Sequence, residues 1–133
     1  MAALSAYGRK AALDWLLGGA TPPTPPAFLY LGLATGQPSS TSASEISAVV
    51  GTYTRSPVIF SAAVSPGGSA INSAAVSYPA NSYTGTLTGW QLWDTQPVGS
   101  GNFWWYGSLS AATRPSSLSG FTFGAGSILL TVH

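Results

Sequence analysis

Charged residues are unusually scarce in this sequence. Three acids and four bases make up 5% of the 133 residues, whereas about a quarter of an ordinary soluble domain is charged. The net charge of +1 leaves little electrostatic repulsion to keep free copies apart. We therefore expect the protein to function in an assembly, packed against copies of itself or against a large partner.

The groups that catalysis and metal binding need are also scarce. The chain has no cysteine, which excludes disulfides and thiolate sites, and its single histidine is His133. The three acids, Asp14, Glu45 and Asp94, fall in three different predicted elements. Triad motifs, metal-ligand spacings and phosphate-binding glycine loops are missing. We therefore predict a non-enzymatic protein with no catalytic residue, no metal and no cofactor.

Long apolar runs and basic runs are missing as well. The best apolar run, Phe28 to Ala34, is seven residues long, whereas about 18 are needed to cross a bilayer. A signal peptide needs an apolar region near the N-terminus. In this sequence that region is interrupted by Arg9, Lys10 and Asp14. The four bases are dispersed and form no stripe that could neutralise phosphates. We therefore expect neither a membrane nor a nucleic acid as partner.

Aromatic residues, in contrast, are abundant, so the chain is expected to fold rather than stay disordered. Residues 4 to 17 have the periodicity of a helix, with one face formed by Leu4, Tyr7, Ala11 and Trp15. Lys10 and Asp14 are spaced to pair weakly on another face. Gly18 and Gly19 are expected to end the helix.

The segment from Thr21 to Pro26 contains four prolines and is expected to form a stiff polyproline-II strut. A helix on such a strut is either an arm that reaches a neighbour or a cap on its own sheet, and the sequence leaves both open. The predicted division is a helical arm (1–20), a strut (21–27) and a β-domain (28–133).

The β-domain has about seven strand-like runs separated by turn signals, which predicts an antiparallel β-sandwich or barrel. The runs are Phe28 to Leu33, Tyr53 to Ala62, Ala70 to Tyr78, Thr86 to Asp94, Phe103 to Leu109, Phe121 to Phe123 and Ile128 to Val132. Gly124 and Gly126 are predicted to be structural, each at positive φ in the last connection. Arg55 is expected at a solvated strand position or paired with a neighbour's carboxylate.

Two predicted strands carry a cluster of aromatic residues: Trp90, Trp93, Trp104, Trp105 and Tyr106. Trp104 and Trp105 are consecutive, so their side chains must lie on opposite faces of the strand. The outward indole, near Asp94, could stack on a sugar ring. The sequence favours the other interpretation, in which the indole packs across the strands or is buried against a partner subunit.

Several patterns in order along the chain resemble a family of small structural proteins of tailed bacteriophages. They are LSAYGRKAALDWLLGG with FLYLGLAT, then GTYTRSPVIFSAAVSPGGSAINSAAVSYPA, LTGWQLWDTQPVGSGNFWWYGSLS and FTFGAGSILLTVH. The resemblance covers roughly residues 4 to 132 and departs from the family in Trp104-Trp105 and in the proline strut. It implies a virion protein, assembled in the host cytoplasm, in a family commonly labelled tail-fibre-like.

A fibre needs length from repeats or a coiled coil, and the sequence has neither. We therefore expect a capsid cement protein on the capsid surface that binds the major capsid protein and copies of itself through apolar contacts. The candidate partner-binding residues are Leu4, Tyr7, Ala11, Trp15, Trp104 and Trp105. The alternative is a tail component (fibre, baseplate or adaptor subunit) that binds a glycan through the tryptophan hairpin. A third interpretation is a small lectin or glycan hydrolase unconnected with a virion.

Overall fold

The computed structural model describes residues 2–18, 21, 23–46, 53–64, 67–80, 85–114 and 120–132. Gly19, Pro22 and His133, which carried sequence predictions, lie outside these residues. The described part contains one helix, α1 (Ala6–Leu17), and nine strands. The strands are β1 (Ala2–Leu4), β2 (Leu29–Ala34), β3 (Ser56–Val58), β4 (Ser69–Ile71), β5 (Val76–Tyr78), β6 (Leu87–Trp93), β7 (Phe103–Thr113), β8 (Phe121–Phe123) and β9 (Leu129–Thr131).

Helix α1 has a defined cap at each end. The Ser5 hydroxyl accepts a hydrogen bond from the backbone N–H of Gly8, which satisfies one of the free donors of the first turn. At the other end Gly18 has a φ of 60°, so the predicted glycine stop is confirmed. The predicted pair of Lys10 and Asp14 is present at 2.5 Å.

The prediction that Leu4 belongs to the helix is wrong. Leu4 is the last residue of β1 and pairs with Trp105 of β7. Ser5 is extended and caps the helix, so the residue before it continues the extended chain. The unpaired edge of β7 offers that segment backbone partners, which periodicity alone does not reveal.

The main layer is a five-stranded antiparallel sheet in the order β1-β7-β6-β2-β3. Four consecutive residues of β2, from Leu31 to Ala34, are buried, so both faces of the strand are covered, as its apolar pattern predicts. Leu92 of β6 pairs with Leu31 on one side and with Trp105 on the other. Leu31, Leu92 and Trp105 line the hydrophobic core on the side of this sheet.

Two short antiparallel pairs, β4–β9 and β5–β8, form the second layer. The segment from Ala70 to Tyr78, predicted as one strand, is divided between these two pairs. Asn72 causes the break: it is fully buried, and its side chain bonds Ala74, Gly124 and Ile128 instead of a regular ladder. Across the core, the Tyr78 hydroxyl donates to the Leu31 carbonyl at 2.5 Å.

The prediction of a mainly β, antiparallel fold with an N-terminal helix is confirmed. The described strands form two layers around one core and do not close into a barrel. They exceed the predicted seven because β1 and the division after β4 were not expected. No described helix has both the length and the apolar character needed to span a membrane.

Candidate interaction surfaces

Helix α1 packs on β7, and the contact is centred on Trp104. The Trp15 ring stacks on Trp104 with a centroid distance of 5.6 Å and an interplanar angle of 12°. Tyr7 meets the same indole edge-on at 5.0 Å. Trp104 is consequently only 5% exposed, and it offers no open ring face for a sugar.

The proline-rich segment folds back over the same helix. The indole N–H of Trp15 donates to the carbonyl of Pro23 at 2.6 Å, and Thr21 and Pro23 line a cleft against α1. The sequence left open whether the helix reaches a neighbour or covers its own sheet. In the structure the helix packs on β7 of its own sheet. The division into arm, strut and β-domain stays a prediction.

Trp105 lies on the opposite face from Trp104, as strand alternation predicts. It packs against the hydrophobic core. Trp90, from the neighbouring strand, is buried over Gly107. A Cβ at Gly107 would lie 2.4 Å from the indole Cζ2 of Trp90, so a glycine is needed there for the indole to fit.

The candidate partner-binding residues therefore fall into two groups. Tyr7, Ala11, Trp15 and Trp104 meet where the helix contacts the sheet, whereas Leu4 and Trp105 are paired between β1 and β7. Each group has contacts within the chain. A role for these residues in partner binding stays a prediction.

Arg55 is fully buried, so the expectation of a solvated position or a neighbour's carboxylate is wrong. Its Nε and Nη2 donate to the two carboxylate oxygens of Glu45, each at 2.7 Å. Glu45 is available to Arg55 because an antiparallel bridge pairs it with Ala34. This bridge folds the loop after β2 back over the sheet. Nη1 donates to the carbonyls of Thr95 and Ser100 at 2.9 and 2.8 Å, which fixes the loop between β6 and β7.

Aromatic groups complete the cluster around Arg55. The guanidinium carbon lies 3.8 Å from the ring centroid of Trp93, a cation–π contact. The Tyr53 hydroxyl donates to Glu45 at 3.2 Å and accepts from the N–H of Leu33 at 2.7 Å. Burial, and next the negative charge of Glu45, raise the pKa of Tyr53 well above its usual range, so the phenol stays a neutral donor.

This cluster joins β2, β3, β6 and the loop after β6 from the inside. Its charged groups bond one another and the backbone, which suits a structural role. The described residues contain no group of three or more His, Cys, Asp or Glu side chains placed to hold a metal ion.

Most of the exposed large apolar side chains of the described residues fall into two groups, and Trp15, Val64 and Val132 are exposed as well. Three leucines cover the outer side of α1: Leu13, Leu16 and Leu17, which are 55–81% exposed. Four residues of the β-domain form what we call the apolar stripe: Phe28, Ile59, Ile71 and Leu129, which are 41–68% exposed. The stripe was not predictable from the sequence, because its residues come from four separate segments and each has the character of an ordinary strand residue.

Gly124 and Gly126 lie in the turn between β8 and β9. The N–H of Ser127 donates to the Gly124 carbonyl at 3.2 Å, and Gly126 has a φ of 75°, as a type II turn requires. The prediction of a positive φ at Gly124 is wrong, because Gly126 is the residue of this turn that adopts a positive φ.

Comparison with known families identifies the group to which this two-layered domain belongs. A family model described as podophage GP4 fiber I protein gp80 matches residues 3–131. A search of curated proteins gave no match. The match supports the resemblance to small structural proteins of tailed bacteriophages. The chain belongs to the podophage gp80 fiber protein family and is a structural protein of the virion.

Proposed function

We propose that the protein is a non-enzymatic subunit of the phage tail fibre that assembles with other tail proteins through apolar contacts. The observation that carries the proposal is the family match, which spans nearly the whole chain. The capsid-cement prediction depended on the lack of repeats and coiled coil in the sequence. It stays unconfirmed, and the family description favours the tail.

The surface chemistry supports assembly by apolar contact. The described residues expose leucine, isoleucine and phenylalanine side chains, and exposed apolar patches are typical of interaction sites. The ion pair between Arg55 and Glu45 is internal. The remaining formal charges are too few for salt bridges to dominate an interface, so attachment should persist at high salt, where exposed charge pairs are screened.

Glycan binding through the tryptophan hairpin is not included in this proposal. Stacking on a sugar requires an open indole face, and Trp104 is covered by Trp15 and Tyr7. A subunit that provides structure rather than host recognition fits this arrangement better.

The proposal is tested by separating purified particles into heads and tails and quantifying the protein in each fraction by mass spectrometry. We expect it in the tail fraction, at about six to a few dozen copies per particle as tail symmetry allows. Washing the tails in 1 M salt should leave it attached. Recovery of hundreds of copies with the heads would overturn the tail assignment and favour capsid cement.

A further inference from the structure

The segment formed by β1 and α1, residues 2–17, fits one particular site on β7, and we call it the N-terminal segment. Its strand, β1, pairs with the edge of β7. The N–H of Ser5 then donates to the carbonyl of Trp104 at 2.8 Å, and a Cβ at Gly8 would lie 2.6 Å from the same carbonyl oxygen. Strand pairing, a hydrogen-bonded cap and a close approach at glycine require this sequence, so the site discriminates against other apolar chains.

Removing this segment would leave the other strands paired. β1 is the terminal strand of the five-stranded sheet, and among the described elements β1 and α1 contact only β7, β9 and each other. The N–H of Ala6 also donates to the carbonyl of Ser40 at 2.8 Å. The segment is therefore attached at one side of the domain, and β7 presents the same site to any copy of the segment that reaches it.

The link between the segment and β2, residues 18–27, is suited to reach another copy. It contains four prolines, and its residues Thr21, Thr24, Pro25 and Ala27 are exposed. A proline-rich chain extends by about 3 Å per residue, so a link of this length spans about 30 Å. That is about the diameter of a small domain, so the segment of one copy can reach β7 of its neighbour.

Exposed apolar side chains lie at both ends of the link. Leu16 and Leu17, before it, are 81% and 76% exposed, and Phe28, after it, is 67% exposed. When the segment is docked on its own copy, these side chains face water. A link that passes from one copy to the next brings both of its ends to the junction between the copies, where apolar side chains are stabilised by burial.

We propose that in the assembled fibre the N-terminal segment of each copy docks on β7 of the next copy. The exchanged contacts are those that the segment makes with its own β7, so exchange between neighbours loses none of them. The donor segment and the acceptor strand are different surfaces of one chain, so each copy provides one segment and receives another, and the series can continue beyond two copies. The proposal rests on the proposed function, because a fibre holds copies at the high local concentration at which a neighbour competes with docking within one copy.

The absence of cysteine from the chain allows a disulfide test of this proposal. Ala3 lies directly opposite Tyr106 in the β1–β7 pair, so Ala3→Cys/Tyr106→Cys places two thiols within disulfide distance. Tails purified from particles that carry this variant are oxidised, denatured and separated by electrophoresis without reductant. Exchange predicts a ladder of dimers, trimers and larger products in the tail-bound protein. Dilute purified protein should give a monomer with an internal disulfide, because isolated copies dock their own segment.

The single variants Ala3→Cys and Tyr106→Cys are matched controls, since one thiol per chain can link at most two chains and cannot produce a ladder. An internal disulfide in the tail-bound double variant overturns the proposal, and so does a product that stops at the dimer, because the exchange is then reciprocal. Reduced thiols in the dilute sample would contradict the register of β1 on β7, on which the docking site depends. If the protein is absent from the tails, the proposed function fails and this proposal with it, whereas the other outcomes leave the tail assignment intact.

Discussion

The guanidinium of Arg55 and the carboxylate of Glu45 form two hydrogen bonds of 2.7 Å each inside the protein. Arg55 is fully buried and the Glu45 side chain is 9% exposed. In a chain with seven formal charges, two are therefore used to hold the sheet and its loops together. Because Arg55 also bonds two carbonyls of the loop after β6, the pair fixes the base of the tryptophan hairpin.

Breaking this pair should be strongly destabilising. Glu45→Gln leaves the Arg55 charge buried without compensation, which should lower the free energy of unfolding by about 3 kcal/mol or more. The matched control is Asp14→Asn, which breaks the exposed pair with Lys10 and should cost about 0.5 kcal/mol or less. Urea denaturation measures both. Equal losses in the two variants would contradict the structural role of the buried pair.

Stability should decline in alkaline solution because of Tyr53. Its pKa is raised in the folded state above the ordinary value of 10.0, so its contribution is complete below pH 10 and is lost as the pH rises further. The free energy of unfolding should then fall with a slope approaching about 1.4 kcal/mol per pH unit. Tyr53→Phe should be less stable at pH 7 but should show a smaller decline between pH 9 and pH 11. Identical slopes would show that Tyr53 ionises as easily folded as unfolded.

Gly8 controls how closely helix α1 approaches β7. A Cβ there would lie 2.6 Å from the carbonyl oxygen of Trp104, so Gly8→Ala should displace the helix although alanine favours helix formation. We expect faster amide exchange across residues 6–17 and a change in tryptophan fluorescence. Leu16→Ala, at a side chain 81% exposed on the same helix, is the control and should change neither. Unaltered exchange in Gly8→Ala would show that the helix contact tolerates a methyl group.

The two glycines of the last turn should respond differently to substitution. Gly126→Ala places a side chain at a φ of 75° and should cost about 1–2 kcal/mol. At Gly124 φ is not left-handed, and an added Cβ would have nothing within 4 Å, so Gly124→Ala should cost less than about 0.5 kcal/mol. Thermal unfolding of the two variants provides the comparison. A larger loss at Gly124 would contradict the turn geometry.

The sequence predicted features that depend on local pattern. The helix end at Gly18, the buried strand around Leu31 and the opposite faces of Trp104 and Trp105 all follow from spacing within a few residues. The fold class follows from the number and separation of such runs. These features were predictable because each depends on neighbours along the chain.

Features that depend on tertiary contacts were not predictable in the same way. The pairing of Arg55 with Glu45 needs the loop after β2 to fold back, and the break at Asn72 needs acceptors and donors from the distant turn at Gly124. Strand β1 exists because β7 has an open edge next to Ser5. The apolar stripe depends on a register between segments that periodicity does not specify.

The central claim is that the protein is part of the tail, and its position on intact particles tests this most directly. Particles that carry a short epitope tag at the C-terminus of the protein can be labelled with gold-conjugated antibody and viewed by electron microscopy. We predict gold on the tail fibres in labelled particles and none in untagged control particles. Gold distributed over the capsid shell would contradict the account.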